Sequence, residues 1–420
     1  MRIILYFLLS YCMAAAQLQA TTWHVGPKAA FTTITSAVKL AEGNDTIVVG
    51  KGIYRESNIV VKTPLTIIGQ PGAIVDAKGH KSNNIIAIIS DSVVVKGLEL
   101  RNITSSYVSD NAAILVDKVK HIQISHCTIT NTMFGIYLRK ATHCLVTNNT
   151  IVNTIVERES NSGNGVHCWG STHLTIRGNT LSGHRDGLYF EFARHTYITH
   201  NVSTKNLRYG LHFMFSDSCT YTYNTFVDNG AGIAVMYTKQ VLMANNTFKD
   251  NWGPSTFGLL LKDITNSHLI NNRFVNNSIA VHSEGSTRIL FENNLFEQNG
   301  YAIRMLGSSV NNTVRSNSFE GNVFDITTNT RTSENNYYRN YWSTYSGYDL
   351  NRDGIGDIPH HPVRLYALMV EQMPTSSILM NSALVHTLDV MERIMPTITP
   401  ESLVDKSPLM HPPAFTGDHR

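Results

Sequence analysis

The sequence predicts an all-β solenoid, a parallel β-helix, and three observations carry that expectation. The chain has 420 residues, more than one globular core sustains, whereas a solenoid adds rungs rather than core radius and stays a single domain. A motif of Asn, a variable residue and then, in most repeats, a large apolar residue recurs from Asn149-Thr150-Ile151 through Asn179, Asn201, Asn224, Asn246, Asn272 and Asn294 to Asn317-Ser318-Phe319. Successive Asn positions differ by 30, 22, 23, 22, 26, 22 and 23, so the period is 22 to 23 residues and the two longer intervals carry insertions. Each repeat also holds short apolar runs with period-two alternation, bounded by Gly and Asn, as in Gly210-Leu211-His212-Phe213-Met214-Phe215 followed by Tyr221-Thr222-Tyr223. That alternation is the strand signal, and several short strands per repeat of this length match a β-helix rung. A leucine-rich repeat has a similar period but requires Leu-x-x-Leu-x-Leu spacing, which is absent.

Composition agrees. Charged residues make up 15% of the chain, against about 25% in ordinary soluble domains, while hydrophobic content is 42%. Uncharged Asn, Thr and Ser fill the difference, and recurrent Asn at one turn is expected to stack as an amide ladder. Lys and Arg total 34 and Asp and Glu 31, for a net +3. With no basic block, the electrostatic footprint of a nucleic-acid binder is missing. A coiled coil and an acidic disordered chain are excluded on the same grounds.

Met1-Arg2, an apolar run from Ile3 to Leu9 and small residues up to Ala20 have the layout of a secretory signal peptide over 1–20, which implies export. The run is short of the roughly 20 residues a spanning helix needs. Cys12 leaves a lipoprotein as an alternative, although Tyr11 stands where such a signal wants a small residue. A β-helix with an N-terminal cap is expected over 21–335. Ile34, Ala37, Val38 and Ala41 follow helical spacing, giving a short amphipathic cap that covers the first strand edges. Asp45–Val49 and Pro64–Gly69 read as the first rungs, and the repeat fades after about Asp325. Cys127, Cys144, Cys168 and Cys219 are irregularly spaced; buried single thiols are expected, with a thiolate metal site as the alternative.

Aligning the Gly-led strands turns sequence into spatial columns, because equivalent residues lie about 4.8 Å apart. Residues one and three after each Gly are apolar and should point inward. Outward columns are then Tyr137, His167, Tyr189, His212, Ala234, Leu260 and, beside them, Arg139, Trp169, Glu191, Met214, Met236, Lys262, His282. Imidazole and thioether both ligate copper, and thioether favours Cu(I). His212, Met214 and Met236 form the tightest such group, with His167, His282 and Glu191 as further candidates. The alternative is that these side chains lie under a flanking loop or tail, with Met as filler. A second reading of this face is enzymatic: Asp186 and Glu191 with Arg185, Arg194 and Arg208 offer carboxylates and cations for polysaccharide lysis, epimerisation or hydrolysis.

A C-terminal loop region is expected over 336–362. Asp349, Asn351, Asp353 and Asp357 occupy positions 1, 3, 5 and 9 of an EF-hand-like Ca²⁺ loop, with Gly354 at position 6 and the Ile355 carbonyl at position 7. His360 replaces the bidentate Glu of position 12, so a standard EF-hand is not expected, and an Asx-turn cluster without metal is the alternative. The remaining 363–420 is expected to be a helical and irregular tail. Met380, Leu384, Leu388, Met391 and Met395 trace an amphipathic helix between Pro374 and Pro396 that either folds back or docks on a partner, and truncation before Pro374 is expected to leave the solenoid folded.

Tyr209-Gly210-Leu211-His212-Phe213-Met214-Phe215-Ser216, Gly232-Ile233-Ala234-Val235-Met236-Tyr237, and Asn340-Tyr341-Trp342-Ser343 leading into Asp349–Pro359 resemble the NosD family, over nearly the whole mature chain. The resemblance implies a right-handed parallel β-helix and a noncatalytic periplasmic adaptor that is membrane-associated through its partner. That partner is the membrane subunit of an ABC transporter, contacted by the C-terminal tail, and through it the ATPase. The resemblance further implies docking with a copper chaperone and supply of copper, as Cu(I), for assembly of nitrous oxide reductase.

Overall fold

A computed structural model describes residues 20–80, 84–103, 110–154, 162–254, 256–330, 333–379, 382–394 and 403–415. The expected export segment, Ala20 apart, lies outside them, as do Met380 and Met395. Among the described residues the chain winds through three parallel sheets of 14, 12 and 13 strands. Each rung gives one strand to each sheet, as Asp186–Glu191, Tyr197–Thr199 and Val202–Thr204 do, and each strand pairs with its equivalents above and below, Leu188 with Leu211 and Tyr189 with His212. This is the parallel β-solenoid that the repeat predicts. Pairing continues past Asp325, through Asn336–Tyr338 and Tyr341–Trp342.

Inward residues form columns. The Phe of the recurrent motif stacks as Phe226, Phe248, Phe274, Phe296, Phe319 and finally Trp342, with ring centroids 5.5, 4.6, 5.0, 4.9 and 4.2 Å apart. The Asn preceding it forms the expected ladder. From Asn149 to Asn340, each Nδ2 donates to the Oδ1 of the next rung at 2.9–3.0 Å. The strand-leading glycines serve close packing, since Gly165, Gly187, Gly210 and Gly232 are not at positive φ. Gly210 leads its strand because a Cβ there would lie 2.8 Å from the Gly232 carbonyl oxygen and from the Phe226 ring. Left-handed turn positions are instead held largely by Asn and other polar or aromatic residues.

The ends are covered. The helix α1 (Ile34–Leu40) buries Ile34, Ala37 and Val38, and Thr33 caps it by accepting from the Ser36 N–H. Glu56 accepts from the Ile34 and Thr35 N–H groups at 2.7 and 2.9 Å, so the remaining helix-start donors are met by a carboxylate from the first rungs. At the other end the chain turns back. Helix α2 (Leu365–Gln372) buries Tyr366, Ala367 and Val370 against Phe324, and Val385 of helix α3 (Ala383–Ile394) joins them. Glu371 Oε1 and Oε2 take the Arg304 Nε–H at 3.0 and 3.1 Å. The tail therefore folds back, although Leu384 and Met391 of the expected apolar stripe stay 53% and 54% exposed.

Residues beyond α3 give a physical reason against the expectation that truncation before Pro374 leaves the solenoid intact. Asp405, fully buried, accepts from Asn340 N, Asn340 Nδ2 and Trp342 Nε1 at 3.0, 3.1 and 3.1 Å. Its carboxylate ends the amide ladder where no further Asn follows, and Asp405 and Leu409 bridge to Tyr337 and Tyr341 of the last rung. Truncation at 374 would remove this end cap and expose strand edges and unpaired amides.

Candidate functional site

The outer face of the 12-stranded sheet carries the predicted columns. Residues one and three after Gly, such as Leu188, Phe190, Leu211 and Phe213, are fully buried, so the intervening residues project outward. Register places Glu191, Met214 and Met236 consecutively in one column, and Tyr137, His167, Tyr189, His212, Ala234 and Leu260 in the other. One assignment is corrected. His282 pairs with Leu260, while Lys262 pairs with Glu284, so His282 belongs to the His212 column, because Ala280, not Ile279, stands where the other strands carry their leading Gly. Ala234 and Leu260 separate it from His212, about 14 Å at three rung steps. Of the six copper candidates, Glu191, Met214, Met236 and His212 are neighbours, and His167 and His282 lie apart.

A third outward column includes Asn164, Asp186 and Tyr209. Asp186 is fully buried. Its carboxylate lies 3.5 Å from Arg185 Nε, 3.3 Å from Arg208 Nε and 3.8 Å from His212 Nδ1, and accepts the Tyr209 N–H. Arg208 Nη2 stands 2.8 Å from His212 Nδ1. Because a guanidinium only donates, Nδ1 is the acceptor and the ring proton sits on Nε2, which is buried with no hydrogen-bond partner among the described residues. His212 is therefore arranged as a donor, and its lone pair is already used. Burial, followed by the charge of Arg185, depresses His167 to about 3; burial and then Arg304 depress His282 to about 4. Both rings are neutral at ordinary pH. Tyr189 donates to Glu191 at 3.1 Å, and burial and that carboxylate push its phenol up to about 12.

The carboxylate pair of the enzymatic reading is not presented to solvent as a pair: Asp186 is enclosed by cations, and Arg194 sits in a turn, bridged to Thr172 and Asp217. Met214 and Met236 are half-buried. Immediately after Glu191, Met214 and Met236 come Phe192, Phe215 and Tyr237, which stack at 5.4 and 5.1 Å, with exposures of 49%, 42% and 42% and φ of 54°, 50° and 53°. Bulky residues in the left-handed region are uncommon. Their spacing of 23 and 22 residues follows the main repeat, and extending the column alignment by one residue finds them. The same period, five residues after the first ladder, also marks a second one that sequence reasoning missed: Asn206, Asn229, Asn251, Asn277, Asn299 and Asn322.

Cys127, Cys144, Cys168 and Cys219 are buried single thiols. In the acidic loop, Asp349 accepts from Asp353 N and Gly354 N, Asn351 Oδ1 from Asp353 N, and Asp353 Oδ1 from Ile355 N. Asp357 accepts from Leu350 N at 2.7 Å. His360, at position 12, packs on Trp342 with centroids 5.1 Å apart and is held by burial at about 3, so it anchors the loop to the solenoid end instead of closing an ion shell. Among the described residues, no three His, Cys, Asp or Glu side chains converge as a ready metal cage, and no helix is long and apolar enough to cross a membrane.

Comparison with known proteins adds the following. Residues 151–347 match a family described as "Periplasmic copper-binding protein (NosD)", and 21–235 match one described as "Protein of unknown function (DUF1565)". The chain is 27% identical over 392 residues to a probable ABC transporter binding protein NosD of Pseudomonas aeruginosa, covering 89% of this chain and 90% of that protein. It is 26% identical over 378 residues to its Stutzerimonas stutzeri counterpart, 85% of each. Among solved structures, the A-module of the Azotobacter vinelandii mannuronan C-5 epimerase AlgE4 superposes with a TM-score of 0.56 at 15% identity, over 73% of this chain and 88% of that one, a likeness of fold.

Proposed function

We propose, from the premise that this chain belongs to the NosD family of β-helix proteins, that it is a noncatalytic periplasmic accessory of an ABC transporter and hands on copper for maturation of nitrous oxide reductase. The observation that carries this reading is the Met214–Met236 pair, in register on adjacent strands of a half-open face. Two thioethers about 5 Å apart at the backbone favour Cu(I) over harder ions. Copper is cargo here. Glu191 and His212 flank the pair; with Nδ1 of His212 taken by Arg208, His212 serves as a polar support and the thioethers as the contacts. The exposed Phe192, Phe215 and Tyr237 beside them suit a docking protein that delivers or receives the ion, a copper chaperone or the reductase. His167, half-buried, and His282, buried, lie apart and are packing residues in this reading.

The transporter contact is assigned to the tail. Val390, Leu384 and Met391 of α3 and Ile378 before it are 44%, 53%, 54% and 87% exposed, an apolar surface suited to a membrane subunit and, through it, the ATPase. Residues 1–20 act as the export signal. The loop around Asp349, Asn351, Asp353, the Ile355 carbonyl and Asp357 holds Ca²⁺ as a structural ion. The polysaccharide-acting alternative is not carried further, because Asp186 is buried among Arg185, Arg208 and His212.

The test combines anaerobic Cu(I) titration with co-purification from membranes. The M214A/M236A variant should lose Cu(I) binding while retaining the transporter. Unchanged titration would remove these residues from the site, and cleavage or epimerisation of an acidic polysaccharide by the purified protein would replace the whole reading.

A further inference from the structure

A second set of imidazoles lies on a different edge of the solenoid. In the turn between the 12-stranded and 14-stranded sheets, His121, His143, His173 and His195 occupy the same place in four consecutive rungs. Their sequence separations are 22, 30 and 22 residues. The residues before them, Lys120, Thr142, Thr172 and Arg194, form a column of backbone bridges that fixes the register. All four histidines are exposed, with φ of 59°, 54°, 54° and 51°. Ring centroids are 5.4, 4.7 and 5.1 Å apart, and the central pair, His143 and His173, is tilted by only 5°.

We propose that this column is a surface site for a borderline divalent transition ion of the Zn²⁺ or Cu²⁺ class, held between imidazoles of adjacent rungs and completed by water. Each ion needs nitrogens about 2.0–2.1 Å from the metal. Imidazoles anchored one rung apart reach that spacing by side-chain rotation alone, and exposed rotamers interconvert freely. Nδ1 of His143 lies 3.1 Å from Thr142 Oγ1, which is 3.0 Å from Thr172 Oγ1. With Nδ1 donating to that hydroxyl pair, Nε2 carries the lone pair outward, the arrangement in which a ligating histidine is oriented by its other nitrogen. A stacked turn does not need histidine: Ser218, Gln240 and Asn266 continue the same column in the next rungs. Neutral imidazoles select this class of ion over Mg²⁺ or Ca²⁺, which prefer oxygen. Flanking Lys120 and Arg194 oppose cation binding. Asp91, 3.9 Å from Lys120 Nζ, offsets one of them. The site uses none of the residues assigned to copper handover and stands independently of that reading.

The experiment is isothermal titration of the full, untagged chain with ZnCl₂ alone, with MgCl₂ as control. Gln suits the replaced positions, since Gln240 holds the same turn at φ 57°. The column has three adjacent pairs and therefore room for at most two ions. H143Q/H173Q breaks every adjacent pair, leaving His121 and His195 about 14 Å apart, and should weaken binding at least tenfold with an unchanged melting curve. H121Q/H195Q keeps the central pair and should bind one ion. Absence of Zn²⁺ binding by the wild type, unchanged binding by H143Q/H173Q, or loss of all binding in H121Q/H195Q overturns the proposal.

Discussion

At the scale of the residue, the amide ladder is the strongest single device in this protein. An Asn side chain both donates and accepts, so one residue per rung satisfies a buried polar site and passes the need for an acceptor to the next rung. Such a chain needs an end, and Asp405 supplies it. D405A should lower the denaturation midpoint by the equivalent of about 3 kcal/mol or more, because three buried donors lose an acceptor, each worth roughly 1–3 kcal/mol; D405N, which keeps an oxygen, should lose much less. Equal midpoints for wild type and D405A would show that water replaces the carboxylate. The ladder was legible as repeated Asn before Phe. Its terminator was not, since nothing in the sequence relates Asp405 to Asn340 across 65 positions.

At the scale of the element, what matters is which local patterns are self-sufficient. The helix α1 was legible because Ile34, Ala37, Val38 and Ala41 share one face and have one place to go. The tail pattern was less informative: Val385 is buried while Leu384 and Met391 are exposed, because α3 packs through a narrow contact beside α2, which the periodicity did not reveal. The loop over Asp349–Asp357 was legible by spacing. Its carboxylates already accept backbone N–H groups, which preorganises the turn and leaves other lone pairs for an ion. Added Ca²⁺ should raise the melting temperature and a chelator should reverse it. A melting curve indifferent to both would leave the loop as a hydrogen-bonded turn.

At the scale of the whole molecule, the pH dependence of stability rests on partly or fully buried titratable groups spread along the chain. Burial, as the leading cause, holds His167, His184, His282 and His360 down at about 3 to 4. A depressed histidine stabilises above its unfolded value of 6.5, and that contribution is lost as pH falls toward 3 to 4, because the unfolded chain takes up the protons first. Asp325 runs the other way: burial raises it to about 6, so its contribution is present below 3.8 and lost as pH rises through 6. Four histidines outweigh one aspartate. The melting temperature should fall between pH 6.5 and 4, and D325N should gain stability at pH 7. A melting temperature that rises on acidification would contradict these assignments. By itself, the sequence determined the solenoid, its period, the first amide ladder and the inward and outward sense of each strand, because a one-dimensional repeat makes each residue's neighbours those one period away. Only the tertiary structure decided the His282 column, the use of His212 Nδ1 by Arg208, the enclosure of Asp186 and the capping by Asp405. These depend on pairing register where a repeat loses its leading Gly and on contacts between distant segments, which no local period encodes.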